Sequence, residues 1–375
     1  MEEEHLLAGA PDVAVRQALV AHLRGAGFED LLLSQAAKRG RLYALEGDQM
    51  IRPGATTLTI ADVASRLGQE TAVTTRLWRA LGLEEPVLDE PVATEEEAAA
   101  LAVWPLIAQL VGESQALALA RVQGAAVSRM CEAVASTMVE AVPEIDLLHS
   151  PDELATSHAF ALAASLMPQV VEMIEMTFRH HLLSATRHFE QAHAPEGFGL
   201  HGVPWCVSFA DLCGFTAATG RLDADALHSL LGLFESIAHD EAAAAGVRCV
   251  KLIGDAAMFV GASPDGIAQA SHGLIARLAE LDAVLAVRVG MAAGDVIVRA
   301  GDYFGPAVNL AARLLELAEP GEVLSESVLT QQLGDLWEVE AREARHVKGI
   351  TEPVVPYAVR ARAASGTGTA GDVLA

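Results

Sequence analysis

Two hydrophobic rhythms divide the chain. Up to about residue 193, apolar positions recur at the three-to-four-residue spacing of helices; beyond about 205, short apolar runs alternate with helical stretches. In the first part, residues 13–23 and 28–37 read as helices, and 51–57, with Pro53-Gly54, as a loop. Residues 59–83 carry a short helix that stops at Gly68 and a second that starts near Gln69, which is helix-turn-helix spacing. An acidic, Pro-containing linker follows at 86–94. Thr94-Glu-Glu-Glu97 then has the form of a capping box and predicts one long helix through Leu110 or beyond. Residues 114–139 predict a further helix. Ser150-Pro-Asp-Glu153, with Pro151 as first helical residue, opens a pattern that runs almost unbroken to His193. Many of these segments are apolar around much of their circumference, which predicts burial in a bundle or against a partner chain.

Residues 194–204 are rich in Pro and Gly and aperiodic, and mark a linker. After them come a strand ending on Asp211, a helix over 223–244, and strands 247–255 and 256–260 joined tightly through Gly254-Asp255. A helix from Ser263-Pro264 to about Leu281, a strand over 284–291, a loop holding Gly301 and Gly305, and a helix over 306–318 follow. Shorter strands fall near 322–325, 337–340 and 354–359. Strand–helix–strand–strand–helix–strand is the order of a ferredoxin-like sheet. The expected class is α+β: an all-α region over 1–193, then a ferredoxin-like domain over 205–362. The Gly/Thr/Ala-rich residues 363–375 are expected to form a disordered tail.

Composition narrows the function. A net charge of −25 weighs against broad affinity for nucleic acid or anionic lipid. Arg76 and Arg79 would share a face of the second helix of the helix-turn-helix-like segment, as in DNA recognition. The competing reading packs Val63, Leu67, Leu77 and Leu81 into a core, and the acidity of the chain favours it. The four cysteines lack Cys-x-x-Cys spacing, the acidic N-terminus leads into no apolar signal region, and the longest uncharged runs are short for a bilayer. The expectation is a cytoplasmic protein with no membrane span and no nucleic-acid partner. Histidines concentrate before the linker, at His180, His181 and His188, with His158, His193 and His201 around them. They read either as a pH-responsive group or as solvated side chains, since imidazole titrates near neutrality.

The chemistry lies in three segments of the second part. Asp211 ends one strand and Asp255 sits at a hairpin tip, so on adjacent antiparallel strands the two carboxylates meet at one sheet edge. Such a pair suits one or two Mg²⁺ or Mn²⁺ ions. Lys251, one of only three lysines in the chain, stands inside an apolar strand four residues before Asp255 and offers a donor to a base or a phosphate. Asn309 and Arg313 are i,i+4 on one helix and share a face, and Arg suits phosphate. Gly301 and Gly305 flank Asp302 and permit close backbone approach.

Phe209-Ala-Asp211-Leu-Cys-Gly-Phe-Thr216, Lys251-Leu-Ile-Gly-Asp255 and Gly301-Asp302-Tyr-Phe-Gly305-Pro-Ala-Val-Asn309-Leu-Ala-Ala-Arg313 together resemble the motifs of class III nucleotidyl cyclases, over about 203–359. The resemblance implies that Asp211 and Asp255 bind two Mg²⁺ or Mn²⁺ ions and that Lys251 and Asp302 read the purine. It also implies that Asn309 orients the ribose and Arg313 stabilises the α-phosphate. Arg299 is a looser candidate for a phosphate contact. A Lys/Asp pair complements adenine, whose N1 accepts and whose 6-amino group donates, so ATP is favoured over GTP. The implied product is 3′,5′-cyclic AMP, made in a homodimer with two shared sites. The helical first half is similar to the regulatory domain of some actinobacterial soluble adenylate cyclases, some of which respond to pH.

Overall fold

The computed structural model describes residues 2–87, 89–141, 152–192, 203–281 and 285–362. It divides into two compact units, Met1–His180 and His181–Ala375. The expected tail, most of the expected linker, and His193 and His201 lie outside the described residues.

The first unit is helical: α1 (Glu2–Leu7), α2 (Val13–Gly25), α3 (Asp30–Lys38), α4 (Leu45–Ile51), α5 (Ile60–Leu67), α6 (Thr71–Ala80), α7 (Glu95–Leu101), α8 (Val103–Val111), α9 (Glu113–Ala141) and α10 (Glu153–Ala164). A further helix, α11 (Met167–Ala192), runs across the division. Leu19, Leu23 and Leu33 form a small core among α1–α3, against which Leu154 of α10 packs. A buried bidentate pair between Arg16 and Glu153, with both N–O distances 2.5 Å, ties α10 to α2. The Arg16 guanidinium also donates to the Leu6 carbonyl at 3.1 Å. In a dry setting such a pair is costly to break, because one partner removed leaves a buried charge.

The helix-turn-helix-like segment is present as geometry. Thr59 and Asp62 cap α5 reciprocally, and Gly68 ends it at φ +62°. Its apolar positions are core: Ile60, Val63 and Leu67 pack with Trp78 and Ala98, and Leu77 with Trp104 and Ala116. Arg76 is paired with Glu113 at 2.6 Å and Arg79 with Glu85. The apolar positions thus pack into the core, and the two exposed arginines lie beside carboxylates.

Several boundaries differ from the sequence pattern. The long helix expected from Thr94 is two helices, broken at Ala102, because Pro105 in the first turn of α8 has no N–H to bond back to Leu101. The pattern leading to His193 is likewise broken at Ser165–Leu166, just ahead of Pro168. Its first cap among the described residues is Asp152, whose carboxylate accepts from the Ala155 N–H; Ser150 and Pro151 lie outside them. Residues Glu153–Arg187 are long and apolar enough, by length and composition alone, to cross a membrane.

The second unit is built on an eight-stranded sheet: β1 (Val203–Leu212), β2 (Arg248–Ile253), β3 (Ala256–Gly261), β4 (Val287–Arg299), β5 (Asp302–Phe304), β6 (Val323–Ser325), β7 (Trp337–Ala341) and β8 (Tyr357–Ala361). The order β2-β3-β1-β4 is antiparallel throughout, as expected for a ferredoxin-like core, and β6, β8 and β7 extend it beyond β4. The helices are α12 (Phe215–Ala218), α13 (Ala224–Ala244), α14 (Pro264–Glu280), α15 (Pro306–Leu317) and α16 (Ser327–Thr330).

Strand alternation separates two cores. Ala210, Ala257, Phe259 and Val289 face α13 and α14 with Phe234 and Leu274. Trp205, Val207, Met258, Val260 and Ala292 face the other way, toward α15 and Tyr303. α15 lies very close to β4. At Gly290 a Cβ would stand 2.1 Å from the Leu315 nitrogen and 2.3 Å from the Ala311 carbonyl oxygen, so only glycine fits there. The strand expected over 284–291 is longer, running to Arg299. The stretch 302–304, expected as part of a loop, is the short strand β5 paired with β4.

Candidate active site

Register brings the two carboxylates together. Asp211 of β1 pairs with Ala256 of β3, and the Leu212 N–H donates to the Asp255 carbonyl at 3.1 Å. Asp255 occupies a two-residue turn between Ile253 and Ala256, whose first residue, Gly254, sits at φ +60°. The two side chains thus share one end of the β1–β3 pair, as adjacent antiparallel strands require. Burial raises the pKa of Asp255, and the negative charge of Asp211 adds to the shift. Asp211 is itself held by Arg288, its cross-strand neighbour on β4, at 2.9 and 3.2 Å.

A bulge aims Lys251. Arg248 opposes Val260 and Cys249 opposes Phe259, but the register then slips so that Lys251, not Val250, opposes Met258. Val260 and Met258 both belong to the core on the α15 side. Without the extra residue, strand alternation would turn Lys251 to the α13–α14 side. With it, Arg248 and Lys251 face the same way.

What Lys251 meets there is Asp302, with Nζ 2.6 and 2.8 Å from its carboxylate oxygens. The β4–β5 hairpin delivers Asp302, pairing Arg299 with Asp302 across Ala300 and Gly301. Both turn residues have positive φ, +54° and +78°, as the tight hairpin demands. Ala300 is the one non-glycine residue with positive φ among the described residues. Burial pushes the Asp302 carboxyl up, but hydrogen bonds from Lys251 and from the Tyr303 N–H outweigh it and its pKa is lowered. It is therefore a carboxylate at neutral pH.

Gly305 leads into α15, and its hydrogen replaces a Cβ that would lie 2.7 Å from the Asp295 carbonyl oxygen. Pro306 occupies the first turn, where a missing N–H costs nothing. Ala307, Ala311 and Leu314 turn inward, which leaves Asn309 exposed and Arg313 half-buried, its guanidinium paired with Glu316. Of the six residues picked out from the sequence, the structure brings together Asp211 with Asp255, and Lys251 with Asp302. Asn309 and Arg313 stand on α15 with no hydrogen bond to either pair among the described residues.

Asp211 and Asp255 fit a hard divalent cation. They supply oxygen donors only, and a cation would offset both the burial of the Asp255 carboxyl and the nearby charge of Asp211 that raise its pKa. No cluster of three or more metal-ligating side chains occurs among the described residues, so two carboxylates leave several coordination positions for phosphate and water.

The profile of the adenylate and guanylate cyclase catalytic domain matches residues 203–361, the stretch that holds all six residues. An adenylate cyclase of Streptomyces griseus is 31% identical over 296 residues, covering 78% of this chain and 73% of that protein. The chain belongs to the class III nucleotidyl cyclase family. It is a cyclase enzyme by its catalytic domain, and the family is metal-dependent. An uncharacterised protein of Mycobacterium tuberculosis is 38% identical over 350 residues, covering 93% of this cyclase and 92% of the relative. A pH-sensitive adenylate cyclase of the same species is 29% identical over 332 residues, covering 84% and 81%.

Two arginines beside these pairs escape a reading of the sequence. Arg288 becomes visible only once the register sets it opposite Asp211; in the sequence it is a charge between Val287 and Val289. Arg248 precedes the lysine motif, and only the bulge after it brings Lys251 round to the face that Arg248 already occupies. Arg299, the looser candidate, is exposed on the β4–β5 hairpin opposite Asp302. His180 and His181 are exposed on α11, and His188 lies further along the same helix. The packed histidines of the first unit are others: His22 lies 2.9 Å from Glu46 and edge-on to the ring of His158.

Proposed function

We propose that the chain is an adenylate cyclase that converts ATP to 3′,5′-cyclic AMP and pyrophosphate, acting in the cytoplasm as a homodimer with two shared sites. The observation that carries this reading is the Lys251–Asp302 pair. An ammonium donor beside a carboxylate acceptor matches the N1 acceptor and 6-amino donor of adenine. Guanine presents the reverse pattern, and a mismatched buried polar edge is rejected strongly.

Asp211 and Asp255 are the residues to hold two Mg²⁺ or Mn²⁺ ions; when bound, these lower the pKa of the 3′-hydroxyl and neutralise the phosphates. The rest is work for the chain itself. Asn309 orients the ribose so that its 3′-oxygen lies in line with the α-phosphorus. As that oxygen bonds to the α-phosphorus and its proton passes to solvent, the bond from that phosphorus to the bridging oxygen breaks and pyrophosphate leaves with its electron pair. Arg313 donates to the α-phosphate as charge builds on it. In the family arrangement partner chains complete each other's sites, so Asn309 and Arg313 on α15 of one chain act with the carboxylates of the other.

The test is cyclic AMP formation from ATP by the full chain with Mn²⁺ or Mg²⁺. Asp211→Ala is expected to abolish turnover, and Lys251→Ala and Asp302→Ala to lower kcat/KM for ATP roughly a hundredfold. Bound nucleotide with no product under any condition would instead support a nucleotide sensor. The accompanying DNA-binding reading is weakened by the carboxylate partners of Arg76 and Arg79.

We read the helical region as regulatory, with pH as a signal acting through His180, His181 and His188 of α11. The pH-sensitive relative favours this reading. Replacing the three together should alter the pH–activity profile; an unchanged profile would remove them from the regulation.

A further inference from the structure

Arg248 is the one charged residue on the α15 side of the β2 strand besides Lys251, and none of the proposed chemistry uses it. Its guanidinium carbon lies 5.5 Å from the ring centroid of Trp205 and 5.5 Å from that of Tyr303. The two rings meet edge-on at 6.1 Å and 76°. Arg248 also donates to the Tyr303 hydroxyl, while its Nε is buried and makes no hydrogen bond among the described residues. Trp205 and Tyr303 are 0% and 4% exposed, so the cation is set against an aromatic core, with no carboxylate bonded to it among the described residues. An apolar side chain of similar length would fill the space without desolvating a charge. What the guanidinium adds is a flat, donor-edged plate that fixes the ring of Tyr303 in both tilt and depth.

That ring is one residue from Asp302. The two cations of β2 grip two successive residues of β5: Lys251 takes Asp302 and Arg248 takes Tyr303. The Tyr303 N–H in turn donates to the Asp302 carboxylate at 2.8 Å. The hairpin tip that carries Asp302 includes Ala300 in a left-handed conformation that alanine disfavours, so its shape depends on what anchors it.

We propose that Arg248 is a positioning residue for purine selection. Through Tyr303 it fixes the β4–β5 tip and so the direction from which Asp302 meets the base. This rests on the reading of Lys251 and Asp302 as the adenine-recognising pair. A carboxylate that swings out of line still accepts hydrogen bonds from water or from another purine edge, so what is lost is discrimination more than turnover.

The experiment measures kcat/KM for ATP and for GTP separately, with thermal unfolding, on the full chain and on Arg248→Met, Arg248→Lys and Tyr303→Phe. Arg248→Met is expected to lower the ATP-to-GTP ratio roughly tenfold, chiefly through KM for ATP. Arg248→Lys keeps the charge but not the plate and should recover only part of the ratio. Tyr303→Phe keeps the ring and loses the hydroxyl, and should shift the ratio in the same direction by less. If Arg248→Met does not fold, the other two variants carry the test. Equal losses for ATP and GTP, with the ratio unchanged, would mean that Arg248 only supports the fold. Lys251→Ala and Asp302→Ala serve as reference: a ratio sensitive to them but not to Arg248 overturns this inference alone. A ratio insensitive to all of them overturns the adenine reading as well.

Discussion

Replacing Gly290 with alanine should damage stability and catalysis together, because it strikes where α15 touches the sheet. The added Cβ would lie 2.1 Å from the Leu315 nitrogen, 2.3 Å from the Ala311 oxygen and 2.8 Å from the Leu314 carbonyl carbon. These are backbone atoms of one helical turn, which no change of rotamer can move aside. To restore ordinary contact α15 must retreat by roughly 1 Å, and overpacking of this kind costs about 3 kcal/mol where the neighbours are rigid. The same helix carries Asn309 and Arg313. A displacement of about 1 Å in groups that align reacting atoms lowers turnover on the order of a hundredfold. The assay pairs urea denaturation, followed by circular dichroism, with cyclic AMP formation at saturating ATP and a temperature well below unfolding. Gly246→Ala is the control, since its Cβ would meet nothing within 4 Å and only the φ of +67° opposes it, at a cost of about 1–2 kcal/mol. If Gly290→Ala left the unfolding free energy within about 0.5 kcal/mol and turnover within about threefold of the parent, the argument from close helix–strand packing would be wrong.

Three further outcomes follow from the charges. Arg288→Gln removes the partner of Asp211 and should tighten Mn²⁺ binding roughly fivefold, as expected for a partly exposed ion pair worth about 1 kcal/mol. Calorimetric titration without nucleotide checks it, and unchanged affinity would show that arginine and cation do not compete. Arg16→Met should destabilise the helical unit by about 3–5 kcal/mol because Glu153 is left buried and unpaired, and adding Glu153→Leu should restore most of the loss. Urea midpoints of the single and double variants decide it. Burial lowers the pKa of His272, which stacks on Trp337 and has a buried Nε2 without a hydrogen-bond partner. The folded state then binds fewer protons than the unfolded one, so stability should fall as pH drops below about 6.5. His272→Phe should flatten denaturation midpoints between acid and neutral pH, and an unaltered slope would remove His272 as the cause.

The sequence by itself determined the two kinds of architecture and marked the six residues proposed for the chemistry. Hydrophobic period distinguishes helix from alternating strand wherever one face is buried, and Gly254-Asp255 and Pro306 mark a hairpin and a helix start through local chemistry alone. Helix breaks at Pro105 and Pro168 were less legible, because the flanking apolar pattern continues across both and conceals the missing N–H. The short strand β5 was hidden for a different reason: three residues are too few to show alternation, and only the long β4 beside them makes them a strand.

Tertiary structure decided which way the residues face and whom they meet. A one-residue bulge turns Lys251 toward Asp302, and a register pairing places Arg288 on Asp211. Strand residues alternate sides with a period of two, so a slip of one position reverses a side chain, and no local pattern records that slip. Long-range pairing sets it, because the backbone hydrogen bonds and the two cores on either side of the sheet must be satisfied at once.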